Sequence, residues 1–420
     1  MSLSWRKILL LIGFFLTVLI VGYGLYFLFL RPAIPTTPPD GQVTPGTGGL
    51  PTAGTGGNIP VGGGTGGALV PGQPSGSEIP GPPTQPLRPE VSRVANGGLT
   101  QATSLTTSRA YLPTLSGNGQ DAAFYDRATG LFYQITPSGK VSPLSNEVFF
   151  EVQNVSWAPD RQKAVLEYPD GANIVYNFTT GQQVTLPKHW KDFNFSPNSD
   201  QLVFKSIGNN PDNRWLAVAS ADGSKAIQLE NLGNKDATVY PSWSPNNQVV
   251  AMYREEKSFD QQSLYFVGLN GENFPSVTVD GLGFNGQWST QGDKLLYSVY
   301  SSATDYKPSL WIVNAQGDSI GQNKRSLNLN TWADKCVFGN NTTIYCATPT
   351  NLQTGAGIYR NDLDNSPTDI YKIDLDSGFR TRVAIPDQTV NIDNLIVSDS
   401  QRVLYFTDKA TGQLYKIDLQ

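Results

Sequence analysis

Histidine chemistry is confined to one position, because the chain of 420 residues contains a single histidine, His189. A Ser-His-Asp triad would have to use this residue, and no Gly-x-Ser-x-Gly nucleophile elbow accompanies it. Zinc and copper sites ordinarily combine several histidine or cysteine ligands. We therefore interpret His189 as a polar surface residue in a connection between two repeats, and predict no catalytic residue and no metal ligand.

Carboxylates alternate in the segment 361–365, where Asp362 and Asp364 are separated by one residue. Calcium loops of the EF-hand type share this alternation, but they need glycine at the sixth position and glutamate at the twelfth. Counted from Asp362, those positions hold Pro367 and Ile373. The EF-hand is excluded, and two interpretations stay open, a looser surface calcium site and a solvated acidic turn. The paired carboxylates of a glycoside hydrolase cannot be assigned without their separation in space.

The two cysteines, Cys336 and Cys346, are the remaining pair with specific chemistry. They flank a predicted hairpin centred on residues 340–341, which would place them opposite one another across two strands. A compartment outside the cytoplasm permits their oxidation. We predict a disulfide, with two buried free thiols as the alternative.

Candidate binding residues lie in four long connections between predicted second and third strands of a repeat, residues 208–214, 254–260, 301–307 and 348–368. Long loops on a rigid scaffold often carry function, and mixtures of arginine, tyrosine and carboxylates are typical of recognition surfaces. The alternative is that these loops are long through sequence drift, without selection for a function. The predicted binding residues are Asn210, Asp212, Arg214, Arg254, Glu255, Asp305, Tyr306, Lys307, Tyr359, Arg360 and Asp362.

These connections are positioned by a phrase that recurs roughly every 40 to 50 residues, a period typical of a repeated supersecondary unit. An aromatic residue is followed by Ser or Ala, then by Pro or a polar residue, a turn and a buried strand. Two further strands follow in each repeat, separated in most copies by a glycine turn. The clearest copies are Trp157-Ala158-Pro159-Asp160, Phe195-Ser196-Pro197-Asn198, Trp243-Ser244-Pro245-Asn246 and Trp288-Ser289-Thr290, with weaker copies beginning at Leu115, Phe338 and Val397.

Four antiparallel strands in each repeat describe a propeller blade. We predict an all-β propeller over residues 96–420, with seven four-stranded blades; an array of β-sandwiches is the alternative. The last repeat has no room for a fourth strand, because its third strand, residues 414–417, is followed by only three residues. Residues near 97–103, with 98–101 as the candidate strand, are predicted to complete the last blade and close the ring.

The aromatic phrase resembles the WD40-like repeats of TolB-type propellers, in which aromatic-Ser-Pro-Asp/Asn-Gly precedes a buried strand. The resemblance covers residues 97–420 and implies the fold. It implies little about function, since such repeats occur in assembly factors, sensors and accessory domains of proteases. The phrase loses its aromatic residue at Leu115 and Val397, so six or eight blades remain alternatives to seven.

The N-terminal region has the pattern of a membrane anchor. Residues 8–30 carry no charge and follow Arg6-Lys7; a helix of this length spans about 34 Å, enough for a bilayer core of about 30 Å. The basic residues before it favour a cytoplasmic tail, residues 1–7. Residues 31–95 are dominated by Gly, Pro and Thr and predict a disordered linker. The expected topology is single-pass, with the propeller outside the cytoplasm.

Charge narrows the range of partners. The formal net charge of −5 argues against nucleic acid and anionic lipid surfaces as ligands of the propeller. Contact with the membrane is predicted only through residues 8–30. The sequence therefore predicts a membrane-tethered binding module, without a cofactor, for an envelope protein, a surface protein or a wall polymer. The alternative is a propeller enzyme, similar to a lactonase or glycan hydrolase, with a carboxylate or metal site near the central channel.

Overall fold

The computed structural model describes residues 16–17, 19–20, 90–363 and 365–420. The chain divides into two compact units, residues 1–81 and 82–420. In the first unit the described residues are helical. Among the described residues, no helix combines the length and the apolar character needed to cross a membrane. The predicted tail and most of the predicted membrane segment and linker lie outside the described residues.

The second unit is a seven-bladed β-propeller, in which each repeat forms one sheet. Two short strands precede the first blade, β1 (Leu99–Thr100) and β2 (Thr103–Ser104). Blades 1 to 3 contain β3 (Tyr111–Leu115), β4 (Ala122–Asp126), β5 (Leu131–Ile135), β6 (Val141–Pro143), β7 (Asn154–Trp157), β8 (Lys163–Glu167), β9 (Asn173–Asn177), β10 (Gln183–Leu186), β11 (Trp190–Phe195), β12 (Gln201–Ile207), β13 (Arg214–Ser220) and β14 (Ile227–Asn231).

Blades 4 to 6 contain β15 (Val239–Pro241), β16 (Val249–Ser258), β17 (Gln261–Gly268), β18 (Val277–Val279), β19 (Leu282–Trp288), β20 (Lys294–Tyr300), β21 (Ser309–Asn314), β22 (Arg325–Ser326), β23 (Cys336–Asn340), β24 (Thr343–Pro349), β25 (Thr368–Asp374) and β26 (Arg380–Pro386). Blade 7 contains β27 (Ile392–Val397), β28 (Val403–Asp408) and β29 (Leu414–Asp418). One α-helical turn, Arg360–Leu363, lies between β24 and β25.

In the copies of the aromatic phrase that contain serine, this serine stabilises the turn between the first two strands of the blade. In blade 4 the buried Ser244 hydroxyl donates to Asn246 Oδ1 at 2.6 Å and accepts from the Val249 amide at 2.9 Å. Asn247 closes the turn with a left-handed φ of 63°. A buried hydroxyl with both partners satisfied fixes the turn geometry. Related hydroxyl contacts to the residue two positions later occur at Ser116, Ser196 and Ser398.

The hydrophobic core consists of layers between neighbouring blades. Between blades 1 and 2, for example, Phe132 packs edge-on against Phe149 and Trp157, with ring centroids 5.8 and 5.6 Å apart. Between blades 4 and 5, Leu264 and Tyr297 belong to one buried cluster. Aromatic residues fill the wedge between two twisted sheets with few side chains. The blades therefore form a rigid ring on which the connections are displayed.

The N-terminal segment closes the ring, as predicted, but not through the strand that was expected. Residues 99–100 (β1) pair in parallel with β26 as a fifth strand of blade 6, and β2 pairs antiparallel with β29 to complete blade 7. The chain thus runs along the outer edge of blade 6 before it reaches blade 7. Between the two strands, Asp387 Oδ1 accepts a hydrogen bond from the Ala102 amide at 2.8 Å. The prediction that residues 98–101 form the closing strand was wrong.

Candidate binding face

The long connections of blades 4, 5 and 6 touch one another. The Ser302 hydroxyl of blade 5 donates to Asp260 Oδ2 of blade 4 at 2.5 Å. The Gly355 and Gly357 amides of blade 6 donate to the carbonyls of Asp305 and Tyr306 at 2.9 and 2.7 Å. Together with the connection of blade 3, we name this surface the long-loop face: residues 208–214, 254–260, 301–307 and 348–363.

The connection of blade 4 is an extension of the sheet and not a loop. β16 and β17 remain paired up to Ser258 and Gln261, so the turn consists only of Phe259 and Asp260. Arg254 and Glu255 therefore lie in a strand, and their expected position in a loop was wrong. The sequence does not predict this strand, because its residues are charged and strand prediction relies on β-branched and aromatic residues. We name residues 254–264 the blade-4 hairpin.

In blade 3 the predicted binding residues shape the connection. Asn210 Oδ1 accepts from the Asp212 amide at 3.1 Å and caps a short 3-10 turn. Arg214 is the first residue of β13, and its guanidinium pairs with Asp236 at 3.0 Å. Asp236 belongs to the link between blades 3 and 4, so Arg214 joins its own blade to the next connection.

In blade 4 the charges are paired within the site. Lys235 Nζ lies 2.8 Å from Glu255 Oε1 and 2.8 Å from the Tyr253 hydroxyl, which also donates to Glu255. The Arg254 guanidinium lies 5.0 Å from the ring centroid of Tyr240, a cation–π contact. Burial raises the pKa of Tyr240 above its usual value, although Arg254 opposes this shift. Arg254 and Glu255 are therefore oriented by fixed neighbours.

In blade 5 the backbone of two predicted residues is left-handed. Asp305 and Tyr306 have φ angles of 53° and 54°. This conformation is uncommon for residues other than glycine and persists where the surroundings determine it. Here it directs both carbonyls to the blade 6 amides of Gly355 and Gly357. Lys307 completes the turn, since its amide donates to Thr304 O at 2.9 Å.

In blade 6 one predicted residue is free at the surface and one is fixed. The Tyr359 side chain is 61% exposed. The Arg360 guanidinium donates two hydrogen bonds to Asp334, at 2.7 and 2.9 Å, and stacks over Trp332 with 4.6 Å to the ring centroid. Asp362 lies in the same helical turn, and Asp364 lies outside the described residues. Within the described part of the chain, no three His, Cys, Asp or Glu side chains form a group that could hold a metal ion.

The central channel carries an arginine–aspartate pair at two cavities. A cavity of about 280 Å³ is lined by Asp334 with inner-strand residues such as Gln287 and Asn394. A second, of about 350 Å³, is lined by Arg161 and Asp399, which form two hydrogen bonds of 2.8 and 2.9 Å. Each of these carboxylates is thus held by a guanidinium. Such bidentate pairs fix the orientation of both side chains. The pair of Arg161 and Asp399 joins blade 2 to blade 7, and the pair of Arg360 and Asp334 joins blade 6 to the link that precedes it.

Two further sequence predictions concern residues that are not part of the long-loop face. His189 is exposed in the connection between blades 2 and 3, and its carbonyl accepts from the Ile207 amide at 2.8 Å. Cys336 lies directly opposite Cys346 in the pairing of β23 with β24, and the two sulfur atoms form a disulfide. This disulfide joins the two innermost strands of blade 6.

Sequence reasoning missed a cleft beside the blade-4 hairpin. Its volume is about 720 Å³, and its walls include Arg254 and Glu256 on one side and Leu282 and Tyr300 of blade 5 on the other. Gln262 lines it and is only 6% exposed, and its Oε1 atom has no hydrogen-bond partner in the described part of the chain. No motif marks these residues, because they are brought together only by the packing of two blades.

No protein-family model and no curated protein sequence matches the chain. Among solved structures, it is similar to an oligogalacturonate lyase in complex with manganese, with a TM-score of 0.54 and 14% identity over 76% of this chain and 93% of that one. The β-propeller domain of Cps50 (Swd1) from Myceliophteria thermophila has a TM-score of 0.50 and 10% identity over 76% of this chain and 100% of that one.

TolB from Acinetobacter baumannii is also similar, with a TM-score of 0.40 and 13% identity over 64% of this chain and 65% of that one. At such identities, the comparisons show the fold alone. The propeller fold that the resemblance implied is confirmed, because the chain forms seven blades. Enzymes and proteins of other kinds both occur among these structures.

Proposed function

We propose that this protein is a membrane-tethered, extracytoplasmic binding module, and that its long-loop face binds a protein or a polymer of the cell envelope. The apolar segment 8–30 and its flanking basic residues support the tether. The Gly/Pro/Thr-rich segment 31–95 supports a spacer between membrane and propeller. The rigid ring then holds one face available to a partner.

The observation that carries the proposal is the continuity of the long-loop face. Hydrogen bonds join the connections of three consecutive blades, so they present one surface. Two aromatic side chains remain outside these contacts, Phe259 at 79% and Tyr359 at 61% exposure. Exposed aromatic residues on a fixed backbone are typical anchors of protein interfaces.

The carboxylates of the channel support binding over catalysis. Asp334 and Asp399 are each engaged by an arginine through two hydrogen bonds. A general acid or base must be within reach of a substrate proton, and a carboxylate held in this way would first have to exchange its partner. The enzymatic alternative remains a prediction from the sequence.

The proposal is tested by photo-cross-linking in the cells that produce the protein. A photoreactive amino acid is placed at Phe259 or Tyr359, and in control variants at Arg127 or Lys409 in the short connections of blades 1 and 7. We expect one cross-linked species of defined mass from the first two positions and none from the controls. Cross-linking that is equal at all four positions, or absent at the first two, would contradict the proposal.

Alanine substitutions supply a second measurement. Tyr306→Ala, Arg254→Ala and Tyr359→Ala should leave the melting temperature nearly unchanged and weaken binding of the cross-linked partner by more than about 1 kcal/mol at one or more positions. Arg127→Ala and Lys409→Ala should have little effect on binding. The opposite pattern would place the binding surface elsewhere on the ring.

A further inference from the structure

The blade-4 hairpin has a free strand edge. The inner strand β15 pairs with β16 only over Val239–Pro241, opposite residues 251–253. Beyond them, β16 continues to Ser258 and is paired only with β17. In the described residues, no backbone hydrogen bond reaches residues 254–258 from the side of β15. Five residues of β16 therefore have one unpaired side.

The direction of the backbone groups follows from the neighbouring pair. The Ser242 amide donates to the Val250 carbonyl at 2.9 Å, so the backbone groups of Val250 point toward the inner side. Alternate residues of a strand point the same way, which places the amides and carbonyls of Arg254 and Glu256 on the free side. An unpaired edge of this kind is a template for an added strand.

A groove runs along this edge. The cleft of about 720 Å³ and a neighbouring cavity of about 420 Å³ share Glu256 and Leu282, and the second cavity ends at the exposed Phe259. The opposite wall is held in place by Tyr300, which packs so closely on Gly283 that a Cβ there would lie 2.3 Å from its ring. A strand beside β16 needs a spacing of about 4.8 Å, and this groove provides an open side for it.

A buried acceptor in the groove points to the chemistry of the ligand. Gln262 Oε1 is buried and has no hydrogen-bond partner among the described residues. A buried acceptor left unpaired is costly, and a ligand donor would recover that cost. The charges nearby are mixed, with Lys235 and Arg254 close to Glu255. The groove therefore suits a ligand that offers N–H donors without a high net charge.

We infer that the blade-4 hairpin binds an extended peptide segment of a protein partner, which adds as a strand to the free edge of β16 and presents an amide or ammonium side chain to Gln262. This inference rests on the proposed binding function and selects a protein over a polymer as the ligand. Backbone pairing would supply affinity, and the buried Gln262 acceptor would supply specificity.

The test uses the full chain in detergent micelles and a phage-displayed library of random dodecapeptides. A selected peptide is synthesised with a fluorophore, and its Kd is measured by anisotropy for the wild type and for Glu256→Pro and Glu256→Ala. Both variants remove the side chain, but only proline removes the amide at the free edge. We expect Kd to rise at least tenfold more for proline than for alanine, with melting temperatures of the two variants in agreement.

Two further measurements separate the contribution of backbone pairing from that of side-chain recognition. Two peptides are N-methylated at alternate amides, one at the odd and one at the even positions, and only one of the two should lose binding. Gln262→Leu should raise Kd at least fivefold. Equal Kd values for Glu256→Pro and Glu256→Ala, or tight binding of both N-methylated peptides, would overturn strand addition. If the cellular partner still cross-links at Tyr359 while Glu256→Pro binds it normally, this inference fails and the proposed function stands. If cross-linking at the long-loop face is also absent, both fail.

Discussion

Truncation can measure how much residues 90–107 stabilise the propeller by closing the ring. We compare a chain lacking residues 1–89 with a chain lacking residues 1–107. The first retains β1 and β2, whereas the second exposes the outer edges of β26 and β29. Both retain all of the strands from β3 to β29, so they differ only in the closing segment.

The magnitude follows from the contacts of that segment. Ala95 and Ala102, buried at 5% and 1% exposure, belong to the core cluster shared by blades 6 and 7. At about 1 kcal/mol for each hydrogen bond, five backbone bonds outside the strand ladders contribute roughly 5 kcal/mol, which is comparable to the whole stability of a small domain. These bonds are Ala95 N to Asp418 O, Gly97 N to Val383 O, Leu105 N to Leu414 O, Ile385 N to Gly98 O and Asp387 N to Thr100 O.

The assay is denaturant unfolding followed by tryptophan fluorescence, with light scattering as a second signal. The chain lacking residues 1–89 should be monomeric and unfold cooperatively. The chain lacking residues 1–107 should lose about 5 kcal/mol of unfolding free energy and aggregate through its exposed strand edges. Equal midpoints and equal solubility of the two chains would refute the role assigned to β1 and β2.

Two other predictions concern blades 5 and 6. Replacing Cys336 and Cys346 together by serine should lower the unfolding free energy by about 2–3 kcal/mol, as expected for the 10-residue separation; two titratable thiols in protein taken from outside the cell would contradict the disulfide. Burial alone would raise the pKa of Asp293, but hydrogen bonds led by Lys294 outweigh it and lower that pKa. Its charged form therefore stabilises the fold above the unfolded pKa of about 3.9 and loses this effect as pH falls through the folded value, so Asp293→Asn should lower the melting temperature at pH 7 and have less effect near pH 2. A difference independent of pH would contradict this assignment.

The blades could be predicted from the sequence because each one carries its own local signal. Residues 131–135 and 414–417 are rich in aliphatic and aromatic residues, as strands commonly are, and they form β5 and most of β29. The turn serines supply a second signal, since their hydrogen bonds depend on residues only two to five positions away. Local interactions of this kind leave a regular trace in the sequence.

The closing strand and the blade-4 hairpin could not be predicted in the same way, because their partners are distant or their residues atypical. Leu99 pairs with Ile385, and the choice between blades 6 and 7 depends on packing across nearly the whole chain. In the hairpin, the segment 254–258 has the charged composition of a loop, although its backbone pairs with β17 up to Ser258, with one irregularity at Lys257. Cross-strand pairing overrides propensity here, as it commonly does in sheets.

The two ends of the ring differ in how strongly their turns and connections are restricted in sequence and length, and this difference explains the position of the candidate site. In blades 1, 3, 4, 5 and 7 a serine-containing turn joins the first two strands, and its buried hydroxyl restricts sequence and length at that end of the ring. The connections at the other end carry no such requirement, so the extended hairpin of blade 4 and the long segment of blade 6 add little strain to the core. Their contacts with each other, from Asp260 through Ser302 to Gly357, then convert three variable segments into one surface. A scaffold that is fixed at one end and variable at the other favours binding at the variable end, and this is the physical reason to seek the partner at the blade-4 hairpin.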